Sequence, residues 1–238
     1  MEKKNIFIIV ALVVLIGGFL LFYSFGEESS NNPTNQNTTF ESGDVVATVN
    51  GEEIIGSDFE LIYSQISTQQ GVDPATLDEQ TQNQFSSQVI ETLVTQVLLK
   101  QEAEKSDIVV SEESIDLQVE SAKGQFESDE AFQQALSTEN LTEESLRNQI
   151  WESIIINSYL QQELNLSTVT ATESEIAQVY EQAIASSEAE AEAEVEVAAP
   201  LSDVYAQLEA MVIQQKQQEL ISQFTENLRV DAEIEIFI

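Results

Sequence analysis

The end of the chain carries a strand pattern that needs a distant partner. From Val230 to Ile236, apolar residues alternate with Asp231, Glu233 and Glu235, which is typical of a strand with one buried face. Further strand candidates lie in "VVATVNGEEI" at 45–54, where an Asn-Gly pair predicts a tight hairpin turn. Because the backbone groups of a buried strand must be paired, we predict that residues 45–49 pair with residues 232–237. Both ends of the folded part then meet in one small sheet.

Helical patterns fill the chain between the hairpin and the terminal strand. Their apolar residues recur every three or four positions, and polar residues in front of them indicate where helices begin. The predicted starts are the capping boxes Ser57/Glu60, Thr81/Gln84 and Thr172/Glu175, and the N-cap Ser111. The widest apolar stripe comprises Phe85, Val89, Ile90, Leu93, Val94, Val97 and Leu98. We expect five or six helices before residue 186.

One long helix is predicted after residue 202, from Asp203 to Leu228. Its spacing is expected to turn one stripe inward, made of Val204, Leu208, Met211, Val212, Leu220, Phe224 and Leu228. This helix and the terminal strand would complete the same folded module as the helices before residue 186.

"SSEAEAEAEVEVAAPLS", at 186–202, interrupts these helices. Its glutamates alternate with Ala or Val, and in a helix a pair such as Glu188/Glu192 would repel by about 0.2–0.5 kcal/mol. Pro200 stops a helix from running on. The stretch offers no apolar face for burial, so we interpret it as a solvated linker, with a frayed helix allowed at its start. Weak calcium binding is the alternative, but the spaced ligands and glycine of a calcium loop are missing.

The N-terminus contains an apolar run of 20 residues, Ile6 to Phe25, without a charge. That is the length of a membrane-spanning helix. Lysines precede the run, so the positive-inside rule predicts a cytoplasmic N-terminus and an extracytoplasmic location for the chain after Gly26. A cleaved signal peptide is the alternative. The expected location is therefore the cell membrane, crossed once, or the outside of the cell after cleavage.

The composition excludes several classes of protein. The chain has no Cys and no His, so it lacks thiolate metal ligands and the commonest general base. Its net charge of −35, with eight Lys and Arg, repels nucleic acid. A pair of carboxylates such as Glu112 and Glu113 has the residue types for acid–base catalysis. Adjacent positions of a helix do not face each other, however, so the two groups cannot act on one substrate together. We expect no catalytic residue, no cofactor and no metal site.

Several segments together resemble a known chaperone module. They are "VVATVNGEEIIGSDFE", "LVTQVLLKQEAEKSDIVVSEESID", "LTEESLRNQI", "ATESEIAQVYEQ" and, at the end, "LISQFTENLRVDAEIEI". They resemble the N-terminal module of the SurA-like extracytoplasmic chaperones, the group of SurA, PrsA and PpiD. The resemblance covers about 44–184 and 203–238. The N-terminal run with its lysines is most similar to that of PpiD.

The resemblance implies a fold and a missing enzyme. In that family a parvulin-type prolyl isomerase domain with histidines and Gly-rich stretches is inserted where residues 186–202 stand. A stretch of seventeen residues, five of them Glu, cannot form a domain, so no catalytic residue is carried over. The expected fold is mainly α, with a membrane helix followed by a helical chaperone module whose small sheet joins its N- and C-terminal strands. The expected division is an anchor at 1–26, a polar tether at 27–43, helices at 44–185, the linker at 186–202 and the completing segment at 203–238.

Four apolar residues are candidates for binding unfolded chains. They lie in the least regular helical segments and are Ile115, Phe126, Phe132 and Leu136. An ordinary core is the alternative for all four, and Trp151 leaves the same choice between a client platform and core packing.

Two functions from different classes remain. The first, which the resemblance favours, is a membrane-tethered holdase for unfolded or exported polypeptides, with the protein-translocation machinery as a further partner. The second is an adaptor that binds one folded membrane partner through the same helices. A holdase would protect unrelated clients from aggregation, whereas an adaptor would not.

Overall fold

The computed structural model describes residues 41–73, 76–138, 141–190 and 200–237. In chain order the elements are β1 (Val45–Val49), β2 (Glu52–Ile55), α1 (Gly56–Gln70), α2 (Glu79–Glu104), α3 (Glu112–Lys123), α4 (Asp129–Thr138), α5 (Glu143–Leu164), a 3-10 helix (Leu166–Thr168), α6 (Glu173–Glu190), α7 (Leu201–Val230) and β3 (Ile234–Ile236). The fold is mainly helical with a small antiparallel sheet, as expected.

Within the described ranges, no helix is both long enough and apolar enough to span a membrane. The predicted anchor, at 6–25, and the tether up to residue 40 lie outside the described residues.

The sheet has the strand order β2-β1-β3. In the hairpin, Asn50 and Gly51 have φ angles of 52° and 85°, the left-handed conformations that a tight two-residue turn requires. β3 pairs antiparallel with β1, with Ala47 opposite Ile236 and Val49 opposite Ile234. The predicted pairing of the two ends of the folded part is therefore confirmed, although β3 is only three residues long.

The turn residue Asn50 locks the terminal segment to the hairpin. Its backbone N–H donates to the carbonyl of Glu233 at 2.8 Å, and its side-chain Oδ1 accepts from the Glu233 N–H at 2.9 Å. Its Nδ2 donates to Oε1 of Gln101 on α2 at 2.8 Å. One residue of the hairpin thus bonds to two further segments, the terminal segment and α2.

The described chain divides into two compact units. One contains Tyr159 and the residues before it together with Phe224 and the residues after it, and the other contains Leu160–Gln223. The sequence did not indicate this division. The first unit includes the sheet and α1 to α4, and the second includes α6.

The sheet, α1 and α2 share a core in the first unit. Its buried residues are Val46, Ala47, Val49, Ile54, Phe59, Ile62, Ile66, Phe85, Val89, Ile90, Leu93, Val94 and Leu98. The predicted stripe of α2 is therefore inward, with Val97 partly buried at its edge. Ile234 packs against the same core, so β3 has one face turned inward.

The start of α1 differs from the prediction. The helix begins at Gly56 with Ile55 as its N-cap, so the box Ser57/Glu60 is wrong. Asp58 instead accepts a long hydrogen bond of 3.5 Å from the N–H of Ile55. The reason is that β2 passes directly into the helix, which leaves Ser57 already inside the first turn.

The start of α2 is also earlier than predicted, whereas that of α3 is confirmed. α2 has Asp78 as its N-cap, and Asp78 accepts from the N–H of Thr81 at 3.0 Å. The box Thr81/Gln84 is wrong because Asp78 caps the helix one turn earlier. α3 begins after Ser111, whose hydroxyl accepts from the N–H of Ser114 at 3.1 Å.

In the second unit, an apolar cluster and an ion pair join α6 to α7. Ile176 of α6 packs with Leu208 and Val212 of α7. Nζ of Lys216 lies 2.8 Å from Oε1 of Glu175. The capping box formed by Thr172 is confirmed, since its N–H donates to Oε2 of Glu175 at 2.7 Å.

Two residues of the predicted inward stripe of α7 face the solvent. Met211 is 47% exposed and Leu220 is 38% exposed. Each precedes a buried residue, Val212 or Ile221, by one position, which is about 100° around a helix. The predicted stripe was therefore too wide at these positions.

The predicted linker overlaps the end of α6. The helix continues to Glu190, and residues 191–199 lie outside the described residues. The domain boundaries at 185 and 202 stay a prediction.

Candidate functional site

The structure brings the four candidate client-binding residues into one apolar cluster, and buries them. Ile115 lies on α3, Phe126 between α3 and α4, and Phe132 and Leu136 on α4. Their exposed fractions are 4%, 8%, 0% and 1%. In this conformation they form a core, so they contact a client only if the cluster opens. Their role in binding stays a prediction.

Short helices with helical apolar spacing build this cluster, which we call the α3–α5 cluster. Its buried members are Ile115, Val119, Ala122, Phe126, Phe132, Ala135, Leu136, Leu146 and Ile150. α4 begins where Ser128 Oγ accepts from the N–H of Ala131 at 3.2 Å. Trp151 is partly buried against the cluster, which places it at the edge of the packing.

Aromatic side chains occupy the middle of the α3–α5 cluster. The rings of Phe126 and Phe132 lie 5.5 Å apart at 65°, the edge-on geometry that aromatic pairs favour. The ammonium of Lys123 lies 5.7 Å from the centroid of the Phe132 ring, which is within cation–π range. This contact places a charge at one side of an otherwise apolar group.

Ion pairs between α3 and α5 close the rim of the cluster. Arg147 on α5 donates to Oδ1 of Asp116 at 2.6 Å and to Oε2 of Glu112 at 2.7 Å. Lys123 donates to Oε1 of Glu143 at 3.1 Å, and this hydrogen bond raises the pKa of Lys123. Such exposed pairs contribute little each, so they latch the helices weakly.

A second polar network, which sequence reasoning missed, joins the hairpin to α2. Lys100 donates to Oε1 of Glu52, and Gln101 donates to the other oxygen of Glu52 at 2.9 Å and to the carbonyl of Val49 at 3.0 Å. Burial favours the neutral form of Glu52, but the hydrogen bonds from Lys100 and Gln101 outweigh it and lower the pKa of Glu52. The one signal in the sequence was a lysine directly after the apolar stripe of α2.

Glu152 on α5 faces the same lysine at longer range. Its Oε1 lies 3.8 Å from Nζ of Lys100. Burial raises the pKa of Glu152, and Lys100 only partly offsets this effect. The arrangement contains paired charges without a histidine, a thiol or, among the described residues, a cluster that could hold a metal. We interpret the network as structural.

All basic residues in the described ranges are engaged in ion pairs. The pairs are Lys100 with Glu52 and Glu152, Lys105 with Glu102, Lys123 with Glu120 and Glu143, Arg147 with Glu112 and Asp116, Lys216 with Glu175, and Arg229 with Glu91. The part of the surface that the structure describes therefore presents unpaired charges of one sign, and they are negative. Such a surface attracts basic rather than acidic partners.

The fold and the apolar cluster define a mainly helical module with a small sheet, and comparison with known proteins identifies its family. Residues 1–160 match the model of the SurA-like N-terminal domain. The chain belongs to this family, which is one of folding chaperones.

A relative of known name supports the same assignment. The chain is 27% identical over 179 residues to a protein called foldase protein PrsA from Caldanaerobacter subterraneus subsp. tengcongensis. The match covers 70% of this chain and 52% of the relative, so the chain spans about half the length of that protein. The resemblance that the sequence segments indicated is confirmed.

Proposed function

We propose that this protein is a membrane-anchored extracytoplasmic holdase that binds unfolded or exported polypeptides and has no isomerase activity. The observation that carries the proposal is membership of the SurA-like chaperone family over 1–160. The name of the relative, a foldase, points to the same kind of task. The protein-translocation machinery is a further proposed partner.

The proposed mode of binding is an exchange of core contacts for client contacts. In the α3–α5 cluster, two short helices of 12 and 10 residues pack on α5. The rim between α3 and α5 carries the ion pairs of Arg147 and Lys123, beside partly buried apolar residues such as Trp151. Opening of α3 and α4 would expose Ile115, Phe126, Phe132 and Leu136 to an apolar client segment. The acidic surface keeps the complex soluble.

The membrane anchor and the lack of isomerase activity are supported by sequence. The uncharged run from Ile6 to Phe25 suits an anchor. The chain has no histidine, and it has no glycine after Gly124, whereas the isomerase of related chaperones has both. The resemblance to that family implies that the acidic stretch at 186–202 stands where the isomerase domain is inserted.

Aggregation assays with the full chain in detergent test the proposal. The protein is expected to suppress aggregation of several unrelated denatured proteins, and a proline peptide is expected to isomerise at the same rate as with an inert protein. Protection of none of the clients, together with co-purification of one membrane partner at fixed stoichiometry, would favour an adaptor instead.

Matched charge variants test the opening of the cluster. Arg147→Gln removes both contacts to α3, whereas Lys105→Gln removes one positive charge whose partner among the described residues is Glu102, in the last turn of the helix that Lys105 caps. Arg147→Gln should ease opening and increase suppression of aggregation at equal protein concentration, and Lys105→Gln should not. Equal activity of the two variants would contradict the proposal that the ion pairs of Arg147 restrain the opening of the cluster.

A further inference from the structure

Among the residues that the structure describes, the outer edge of β3 is an unpaired strand edge. The sheet order is β2-β1-β3, so β3 has β1 on one side. The ladder hydrogen bonds run from Asn50 N–H to the Glu233 carbonyl and from Phe237 N–H to the Val46 carbonyl, at 2.8 and 3.0 Å. Within the described ranges, no strand pairs with the opposite edge of β3.

The register fixes which backbone groups point outward. Alternate residues of an antiparallel strand bond to the same neighbour, so Glu233, Glu235 and Phe237 face β1. The N–H and C=O groups of Ile234 and Ile236 therefore face away from it. A row of such groups is a template for another extended chain.

Side chains at this edge are apolar and acidic. Ile236 is 44% exposed and Phe237 is 55% exposed. Asp231, Glu233 and Glu235 are also exposed, and no basic residue follows Arg229. An incoming strand would therefore meet apolar contacts on both faces and only negative charge beside them.

We propose that the outer edge of β3 binds an extended segment of basic and apolar residues by strand addition. Opposite charges across neighbouring strands stabilise a sheet, and like charges destabilise it. A second copy of β3, paired symmetrically with Ile234 opposite Ile236, would place Glu235 opposite Glu235. The charges therefore favour a basic client over self-association in this register. The inference rests on the proposed function and gives that function a site and a class of client.

Peptide binding to the full chain tests the edge directly. The probes are a labelled short peptide of alternating Lys and Val, the same peptide with Glu for Lys, and the Lys/Val peptide with alternate backbone amides methylated. Fluorescence anisotropy should show that the Lys/Val peptide binds at least about tenfold more tightly than the other two. If the methylated peptide binds as tightly as the unmethylated Lys/Val peptide, the proposal is wrong. This comparison needs only the parent protein.

Two substitutions at residue 236 separate the contribution of its backbone N–H to peptide binding from that of its side chain. Ile236→Pro removes an N–H that faces outward, and Ile236→Ala keeps it. We expect the proline variant to bind the Lys/Val peptide about tenfold more weakly than the alanine variant, with the same circular dichroism spectrum. Equal binding by both variants would overturn the proposal, as would a dimer of the parent protein that Ile236→Pro dissociates.

The edge and the holdase function can fail separately. If the parent suppresses aggregation but does not distinguish the Lys/Val from the Glu/Val peptide, the edge proposal falls and the holdase proposal stands. If it suppresses no aggregation yet binds the Lys/Val peptide in the predicted manner, the edge proposal stands and the holdase function falls.

Discussion

Replacing Phe132 by alanine tests whether the α3–α5 cluster is a packed core. The side chain is fully buried, and burial of a Phe stabilises by about 1.5–3 kcal/mol. The edge-on pair with Phe126 adds about 0.5–1.5 kcal/mol. The sum agrees with the loss of about 3–5 kcal/mol that is usual for Phe→Ala in cores. We expect a loss in that range.

The only tryptophan of the chain provides the assay. Trp151 packs against the α3–α5 cluster, so its fluorescence during urea denaturation reports unfolding at this place. Leu117→Ala is the matched control, because Leu117 lies on α3 but is 66% exposed. It should change the free energy of unfolding by less than about 0.5 kcal/mol.

The outcome decides between two states of the cluster. A loss below about 1 kcal/mol for Phe132→Ala, with an unchanged dependence on urea, would show that the cluster is not closed in solution. In that case the four candidate residues would be available to clients without an opening step. A loss as large for Leu117→Ala would refute the assignment of the inward face of α3.

Three further predictions concern other parts of the molecule. Deleting residues 229–238 removes β3 and should lower the free energy of unfolding by at least about 3 kcal/mol, because the ladder and the burial of Ile234 are both lost; an unchanged melting temperature would contradict this. The hydrogen bonds from Lys216 and Thr172 lower the pKa of Glu175 to about 2, so its contribution is present above about pH 4.5 and is lost as the pH falls towards 2; urea midpoints of the parent and Glu175→Gln should differ at pH 6 and converge at low pH. A Gly/Ser chain in place of residues 191–199 should cost less than about 0.5 kcal/mol, whereas Leu208→Ala should cost about 2–5 kcal/mol, as compared by urea denaturation.

The pairing of the terminal strand with the hairpin was predictable because the spacing of apolar residues indicates which segments form strands and which form helices. The alternation after Val230 required a partner, and the Asn-Gly turn marked where that partner lay. The stripe of α2 was equally clear, because its residues occupy the helical face that packs on the sheet. These features depend on spacing alone, which the sequence contains in full.

The helix starts were less predictable because competing caps depend on tertiary placement. At α2, Asp78 and Thr81 both have the chemistry of an N-cap, and only the path of the preceding chain selects Asp78. At α1, direct passage from β2 leaves Ser57 without a role as N-cap. The wrong prediction for Met211 and Leu220 on α7 has a similar cause, because the surroundings of a residue and not its type decide whether it is buried.

The sequence predicted which four residues form the candidate site, but it could not predict whether they form a permanent core or a cluster that opens. Ile115, Phe126, Phe132 and Leu136 do lie together, yet apolar spacing is identical for a permanent core and for a cluster that opens. The structure adds that all four are buried and that ion pairs, which salt weakens, lie at the rim. The Phe132→Ala and Arg147→Gln experiments test which of the two states the cluster has.

The net charge of the protein affects what happens when the α3–α5 cluster opens. An opened α3–α5 cluster would expose apolar surface, and such surface ordinarily makes copies of a protein associate. A net charge of −35 opposes this association, because copies repel one another before apolar surfaces can meet. Salt acts on both terms: it weakens the pairs of Arg147, which favours opening, and it screens the repulsion between copies, which favours aggregation. Added salt should therefore aid client capture only until self-association of the opened form outweighs it.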